Sequence, residues 1–170
     1  MNEQRYFIAP ELDKLRSALN AWLWLGLEGK TPIRVTAFAD VFFSAPDGVW
    51  FLDTLEGKLE RVCTSVHDLD QIVATEEARD RYLLAGLVDR AISEGMTLEA
   101  GQCYDFRINP VLGGAVAFEN VEAQDFLVAL HIAGQIHEQV RNLPPGTKIN
   151  AVTIDENASE RRKRWWRWWW

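Results

Sequence analysis

Cysteine is scarce in this chain. The two present, Cys63 and Cys103, lie 40 residues apart, a spacing that fits neither a metal-binding pair nor a CxxC redox motif. Each follows an apolar, strand-like run, so both are expected as buried, reduced thiols. Long apolar stretches are also missing, and none approaches the roughly 20 residues that a membrane-spanning helix needs. The opening Met1-Asn2-Glu3-Gln4-Arg5 has neither the basic region nor the apolar run of a signal peptide. A soluble protein of the cytoplasm is expected.

Basic charge is scarce in the body of the chain. The formal net charge is −7, from 18 Lys and Arg against 25 Asp and Glu. The last ten residues, RRKRWWRWWW, hold five of the cations and no anion, which leaves 13 against 25, a net of −12, over residues 1–160. Such a body repels nucleic acid, whose phosphates are bound by Lys and Arg through counterion release. It favours a basic partner through steered association, although many cytoplasmic proteins are acidic without using that charge to bind.

What is present is ordinary globular material. The hydrophobic share is 48% and the charged share 25%. A chain of this length can bury roughly 68–70% of its unfolded surface without covalent staples. Residues 1–150 read as one domain, followed over 151–170 by a polar linker and the Arg/Trp tail, for which disorder is expected.

Pro10 and Glu11 open a helix whose apolar face is Leu12, Leu15, Leu19 and Trp22 or Leu23, ended by Gly26 and Gly29. Strand texture starts at Ile33 and runs through Val35, Ala37, Val41, Phe42 and Phe43 to Asp47-Gly48, a strong hairpin signal. Val49–Leu52 and Leu59–Cys63 complete a meander around Glu56-Gly57. A short helix capped by Ser65 follows. Next comes a longer one capped by Thr75 and stopped by Gly95, with Leu84, Leu87, Val88, Ala91 and Ile92 as its stripe. Gln102–Ile108 alternates as a strand, Ala115–Phe118 resumes extended structure, and Asp125–Leu143 reads as a final helix with Ala129, Ile132, Ala133, Ile136, Val140 and Leu143 inward. The expected class is α+β: a mainly antiparallel sheet with a strand meander and helices packed on one face.

No catalytic constellation stands out. His131 and His137 are six apart on a helix, about 240° round it, and cannot share a metal as an i, i+4 pair could. Gly113-Gly114 lacks the Lys-Ser/Thr of a phosphate loop and the third glycine of a dinucleotide turn. One dimension leaves a pairing of Cys63 or Cys103 with His131 or His137 open. No catalytic residue, metal site or cofactor is expected.

Several segments carry a resemblance. They are Phe38-Ala39-Asp40-Val41-Phe42, Asp47-Gly48-Val49-Trp50-Phe51-Leu52-Asp53-Thr54-Leu55-Glu56-Gly57, and Cys103-Tyr104-Asp105-Phe106. Pro110-Val111-Leu112-Gly113-Gly114, Glu119-Asn120, Gly134-Gln135-Ile136-His137-Glu138-Gln139-Val140 and Leu143–Ile149 continue it. Over residues 37–149 the chain resembles a family of bacterial immunity proteins related to the immunity partner of a type VI secretion DNase effector, specifically that protein's C-terminal domain. The resemblance implies a non-catalytic protein that binds and neutralises a protein toxin, which as a nuclease would be basic. Residues 1–36 stand where the DNase-immunity protein has an additional N-terminal domain, and the Arg/Trp tail has no counterpart in the family. Gly113, Gly114, Glu119, Asn120, Gly134, Gln135 and His137 are the family-motif positions, with structural roles as open as functional ones: glycines permit special turns, Asn120 could cap or turn the chain, and Gln135 and His137 flank the buried stripe.

The densest acidic region is Glu56, Glu60, Asp68, Asp70, Glu76, Glu77 and Asp80, the candidate contacts for a basic partner, with a solvated face as the plain alternative. The tail holds five of the eight tryptophans. Cations with aromatics suit an anionic lipid surface or single-stranded nucleic acid, and an accidental appendage is the other reading. A general protein-interaction module without a toxin, tethered to membrane by that tail, is the alternative function.

Overall fold

The structure is a computed structural model that describes residues 3–144 and 146–155. The expected Arg161–Trp170 tail, and the linker from residue 156 onward, lie outside the described residues. A 3-10 helix, Glu3–Tyr6, leads into a two-residue strand, β1 (Phe7–Ile8). The first helix is α1 (Leu12–Leu19), continued as a 3-10 helix over Asn20–Leu25 and closed by Gly26 with φ +76°. Four strands then run β2 (Thr31–Thr36), β3 (Val41–Ala45), β4 (Gly48–Asp53) and β5 (Lys58–Cys63). Together with β1 they form an antiparallel sheet in sequence order. The α+β class and the antiparallel meander are as expected from the sequence.

The helices, however, cover both faces of that sheet, where one face was expected. Val41, Phe42 and Phe43 are successive residues of β3, and they are 0, 0 and 1% exposed. Successive strand side chains point to opposite faces, so both faces must be covered. On one side, Val41, Phe43 and Leu52 pack with Leu15, Trp22 and Leu130. On the other, Phe42, Val49 and Phe51 pack with Leu69, Leu83 and Val88.

The helices of that second side are α2 (Val66–Val73), α3 (Glu76–Leu83) and α4 (Ala85–Ser93). Ser65 and Thr75 cap α2 and α3 by accepting the Asp68 and Ala78 N–H groups, as their sequence positions suggested. The single helix expected from Thr75 to Gly95 is broken at Leu84, whose φ of +47° and ψ of 45° are left-handed. The break has a packing reason. Leu83 and Val88 would point about 140° apart on one continuous helix, yet both are buried in the same core cluster. Ile92 is exposed, as is Leu12 on α1, against the inward stripes expected.

The remaining strands, β6 (Gln102–Phe106) and β7 (Val121–Asp125), pair antiparallel as a separate two-stranded sheet. Ala115–Phe118 is not a strand, and β7 lies where none was expected. Its sequence, VEAQD, buries only Val121 fully and so offers no apolar alternation to read. Asp125 caps α5 (Phe126–Val140), which packs on α1 and on the Asn20–Leu25 turn. Leu143 lies beyond α5 and is exposed. Cys103 is buried, but Cys63, at the end of β5, is half-buried and not enclosed as expected.

Candidate functional site

The seven acidic candidates share one region of the molecule. Glu56 and Glu60 flank and occupy the edge strand β5, Asp68 and Asp70 lie on α2, and Glu76, Glu77 and Asp80 on α3. Folding spends several of them on neighbours. Glu60 pairs with Arg81, Asp70 with Arg34 across to β2, and Glu56 with Lys58. Asp68 accepts the Thr64 hydroxyl, which holds its carboxyl below the usual range. Glu76 and Glu77 sit in the exposed first turn of α3, where the helix dipole favours them. They and Asp80 make no ion pair among the described residues.

The family-motif positions gather in two places. Gly113, with φ +97°, closes a 3-10 turn over Pro110–Leu112. A Cβ on Gly114 would collide with the Ile108 carbonyl. Asn120 staples this loop: its Oδ1 accepts the Ile108 N–H at 3.0 Å, and its Nδ2 donates to the Ile108 and Ala115 carbonyls at 2.8 and 2.9 Å. Glu119 contributes its backbone carbonyl to Arg107 and leaves its carboxylate exposed. On α5, Gly134 lets the helix approach Ala21 and Trp22, since a Cβ there would stand 2.7 Å from the Ala21 Cβ and 2.9 Å from Trp22 Nε1. Trp22 donates that Nε1–H to the Leu130 carbonyl at 2.8 Å. Gln135 is turned to the backbone of Asp155.

His137 belongs to a buried network that sequence reading did not single out. Its Nε2 bonds the Thr54 carbonyl at 2.9 Å, which places the proton on that nitrogen. Thr54 in turn donates its N–H at 2.9 Å and its hydroxyl at 2.7 Å to Asp40 Oδ1, while the Thr36 hydroxyl donates to Oδ2 at 3.0 Å. Burial pushes the Asp40 carboxyl up to about 7, against those three bonds, and lowers the His137 imidazole. A cavity of about 30 Å³ adjoins Asp40, Thr54, Asp105 and Ala133. That is room for a water or two and not for a substrate. The pairing of cysteine with His137 left open by the sequence does not form: one His137 nitrogen holds a backbone carbonyl and the other faces Gly57, while Cys63 donates to the Ser65 carbonyl at 3.3 Å. Burial raises the Cys103 thiol, so it stays protonated. No cluster of three or more His, Cys, Asp or Glu suited to a metal occurs among the described residues. The network ties α5 to two turns of the main sheet.

The family model described as T6SS immunity protein Tdi1, C-terminal, matches residues 64–137. Over these residues the chain is similar to that immunity family. The match starts one residue before the α2 cap and ends at the histidine that bonds Thr54, so it takes in α2, α3, α4, both strands of the small sheet and most of α5. Five of the acidic candidates, Asp68, Asp70, Glu76, Glu77 and Asp80, and all seven motif positions fall inside it. The crystal structure of Atu4351 from Agrobacterium tumefaciens is 20% identical over 78% of this chain and 68% of that one, with a TM-score of 0.49, which is too low to rest a shared fold on. No curated protein matches the chain.

Proposed function

We propose that this chain is a type VI secretion immunity protein that binds a protein toxin in the cytoplasm and neutralises it by occupancy, without catalysis. The match of residues 64–137 to the immunity family carries this reading. The charge balance supports it: the body carries a net of −12, and a nuclease toxin must be basic to hold its substrate. The exposed carboxylates of Glu76, Glu77 and Asp80, beside Asp68 and Asp70, are the side from which a basic surface would be attracted. Their part is steering and register, since charges at an interface rim change the association rate more than the affinity. No described helix is long and apolar enough to cross a membrane.

The test is a pull-down from lysate of the source cell with the full chain as bait, followed by mass spectrometry and by growth rescue against whatever effector is retained. The expected result is one basic toxin-like protein, released at high salt and retained poorly when Asp68, Asp70, Glu76 and Glu77 are reversed to lysine. Recovery of housekeeping proteins alone, or a retained effector that kills equally in the presence of the chain, would replace immunity with a general interaction role.

A further inference from the structure

Glutamine carries a copy of the peptide group: a carbonyl that accepts and an NH₂ that donates. α5 presents two of them one turn apart, and both engage residues 153–155. Gln135 accepts the Asp155 N–H on Oε1 at 2.7 Å and donates from Nε2 to the Asp155 carbonyl at 3.0 Å. Gln139 accepts the Thr153 N–H at 2.9 Å and donates to the Thr153 carbonyl at 2.8 Å. Each glutamine therefore holds both backbone groups of one residue, as a residue of a neighbouring antiparallel strand does in a hydrogen-bonded pair.

The spacing explains why helix and strand fit. The four residues from Gln135 to Gln139 advance roughly 6 Å along the helix, and two residues of extended chain advance roughly 6.6 Å. Residues 153 and 155 present their N–H and C=O groups on the same edge, with 154 turned away and exposed. The clamp is held ready on the protein side. Gln135 is buried to 8% exposure, and Gln139 Nε2 also donates to the Gln135 carbonyl at 3.0 Å, which fixes its side chain. All four hydrogen bonds to the extended segment fall on backbone, which every residue but proline supplies.

The geometry points to a binding site for extended polypeptide on α5, in which Gln135 and Gln139 clamp the backbone of residues i and i+2 of a partner's strand. Residues 153–155 are its resident occupant in cis and show the docked pose. A strand from a partner would replace them by the same four hydrogen bonds, reading chain conformation and not side-chain sequence. The inference rests on this chain being a binder of proteins, though not on the partner's being a toxin.

The test uses the full chain carrying Thr153→Pro and Asp155→Pro, which removes both donated N–H groups and weakens the resident segment. The probes are a capped peptide of residues 150–156 and a scrambled version of it, added to millimolar concentration to outcompete the tethered segment. The readout is the side-chain amide NMR signals of Gln135 and Gln139. Both peptides should shift these signals, and Gln135→Leu with Gln139→Leu should abolish binding. In the unaltered chain the Thr153 and Asp155 amides should exchange about tenfold or more slowly than in the double leucine variant. No shift at millimolar peptide, binding of the native peptide alone, or an unprotected Thr153 amide in the unaltered chain would overturn the clamp. Should the leucine variant fail to fold, Gln139→Glu on the exposed side keeps the acceptor and loses the donor, and it must still weaken the peptide. A failed toxin pull-down with peptide binding intact removes the immunity reading alone, and the reverse removes the clamp alone.

Discussion

His137 and Gly57 meet where α5 crosses the turn between β4 and β5, and the imidazole fills the space that a side chain at position 57 would need. Gly57 also has φ +65°, a left-handed conformation that only glycine adopts without cost. The contact allows His137 to reach the Thr54 carbonyl, and through Thr54 it joins the C-terminal helix to the buried carboxyl of Asp40.

Gly57→Ala is accordingly expected to destabilise the fold by about 2–4 kcal/mol, from left-handed strain plus overpacking against the ring. Urea unfolding measures it. Adding His137→Ala should cost less than the two single changes together, because the alanine methyl then has room, and a double-mutant cycle reads that coupling.

Asp40 sets a pH dependence whose sign follows from its burial. Its folded carboxyl titrates near 7, above the ordinary 3.8 of an unfolded aspartate. The folded state therefore binds a proton that the unfolded state has released. This contribution is fully present below about pH 4 and is lost as pH rises through about 7. Asp53 and Asp105, both raised by burial, act in the same direction, while His137, lowered by burial, acts against them. Stability should thus fall between about pH 4 and pH 7. Asp40→Asn, which keeps the acceptor for Thr54, should flatten the slope by an amount on the order of a few kcal/mol across that window. A slope unchanged in Asp40→Asn would show that the carboxyl is ionised in the fold throughout.

Asn120→Ala removes three hydrogen bonds from the loop between β6 and β7 and leaves the Ile108 carbonyl and N–H without that partner. A loss of about 1–3 kcal/mol is expected. Hydrogen exchange at the Ile108 amide should accelerate most, with β3 and β4 unchanged.

Reversing Glu76, Glu77 and Asp80 to lysine should separate binding from stability. The changes at Glu76 and Glu77, in the first turn of α3, each cost the fold about 0.3–1 kcal/mol through the helix dipole. Association with a basic partner should slow by about tenfold or more at low salt and lose most of its salt dependence. Stopped-flow or surface-binding kinetics at two salt concentrations distinguish the effects.

Much of the main sheet was legible because its signals are local. Asp47-Gly48 and Glu56-Gly57 mark two turns of the meander, and Ser65 and Thr75 mark two helix starts; all four depend on a few adjacent residues. The hairpin between β2 and β3 was not legible, because it turns on Ala39 at φ +67°, a non-glycine residue that shows no turn chemistry. The same holds for Leu84, where a good helix former breaks a helix. Asp40 stood within a recognised segment, but nothing in its neighbours announced a carboxyl buried among two threonines.

Composition, turn chemistry and periodicity by themselves determined the α+β class and the acidic body, since each depends on residue types and short spacings. Only the tertiary structure decided that helices cover both faces of the sheet, that Leu83 and Val88 share a core across a broken helix, and that His137 serves Thr54 rather than a thiol. It alone brought Gln135 and Gln139 to the backbone of residues 153–155. These facts depend on contacts between residues far apart in the chain, 83 positions for Thr54 and His137 and 108 for Trp22 and Leu130. Burial against a distant neighbour outweighs local propensity there, and no local pattern encodes which neighbour that will be.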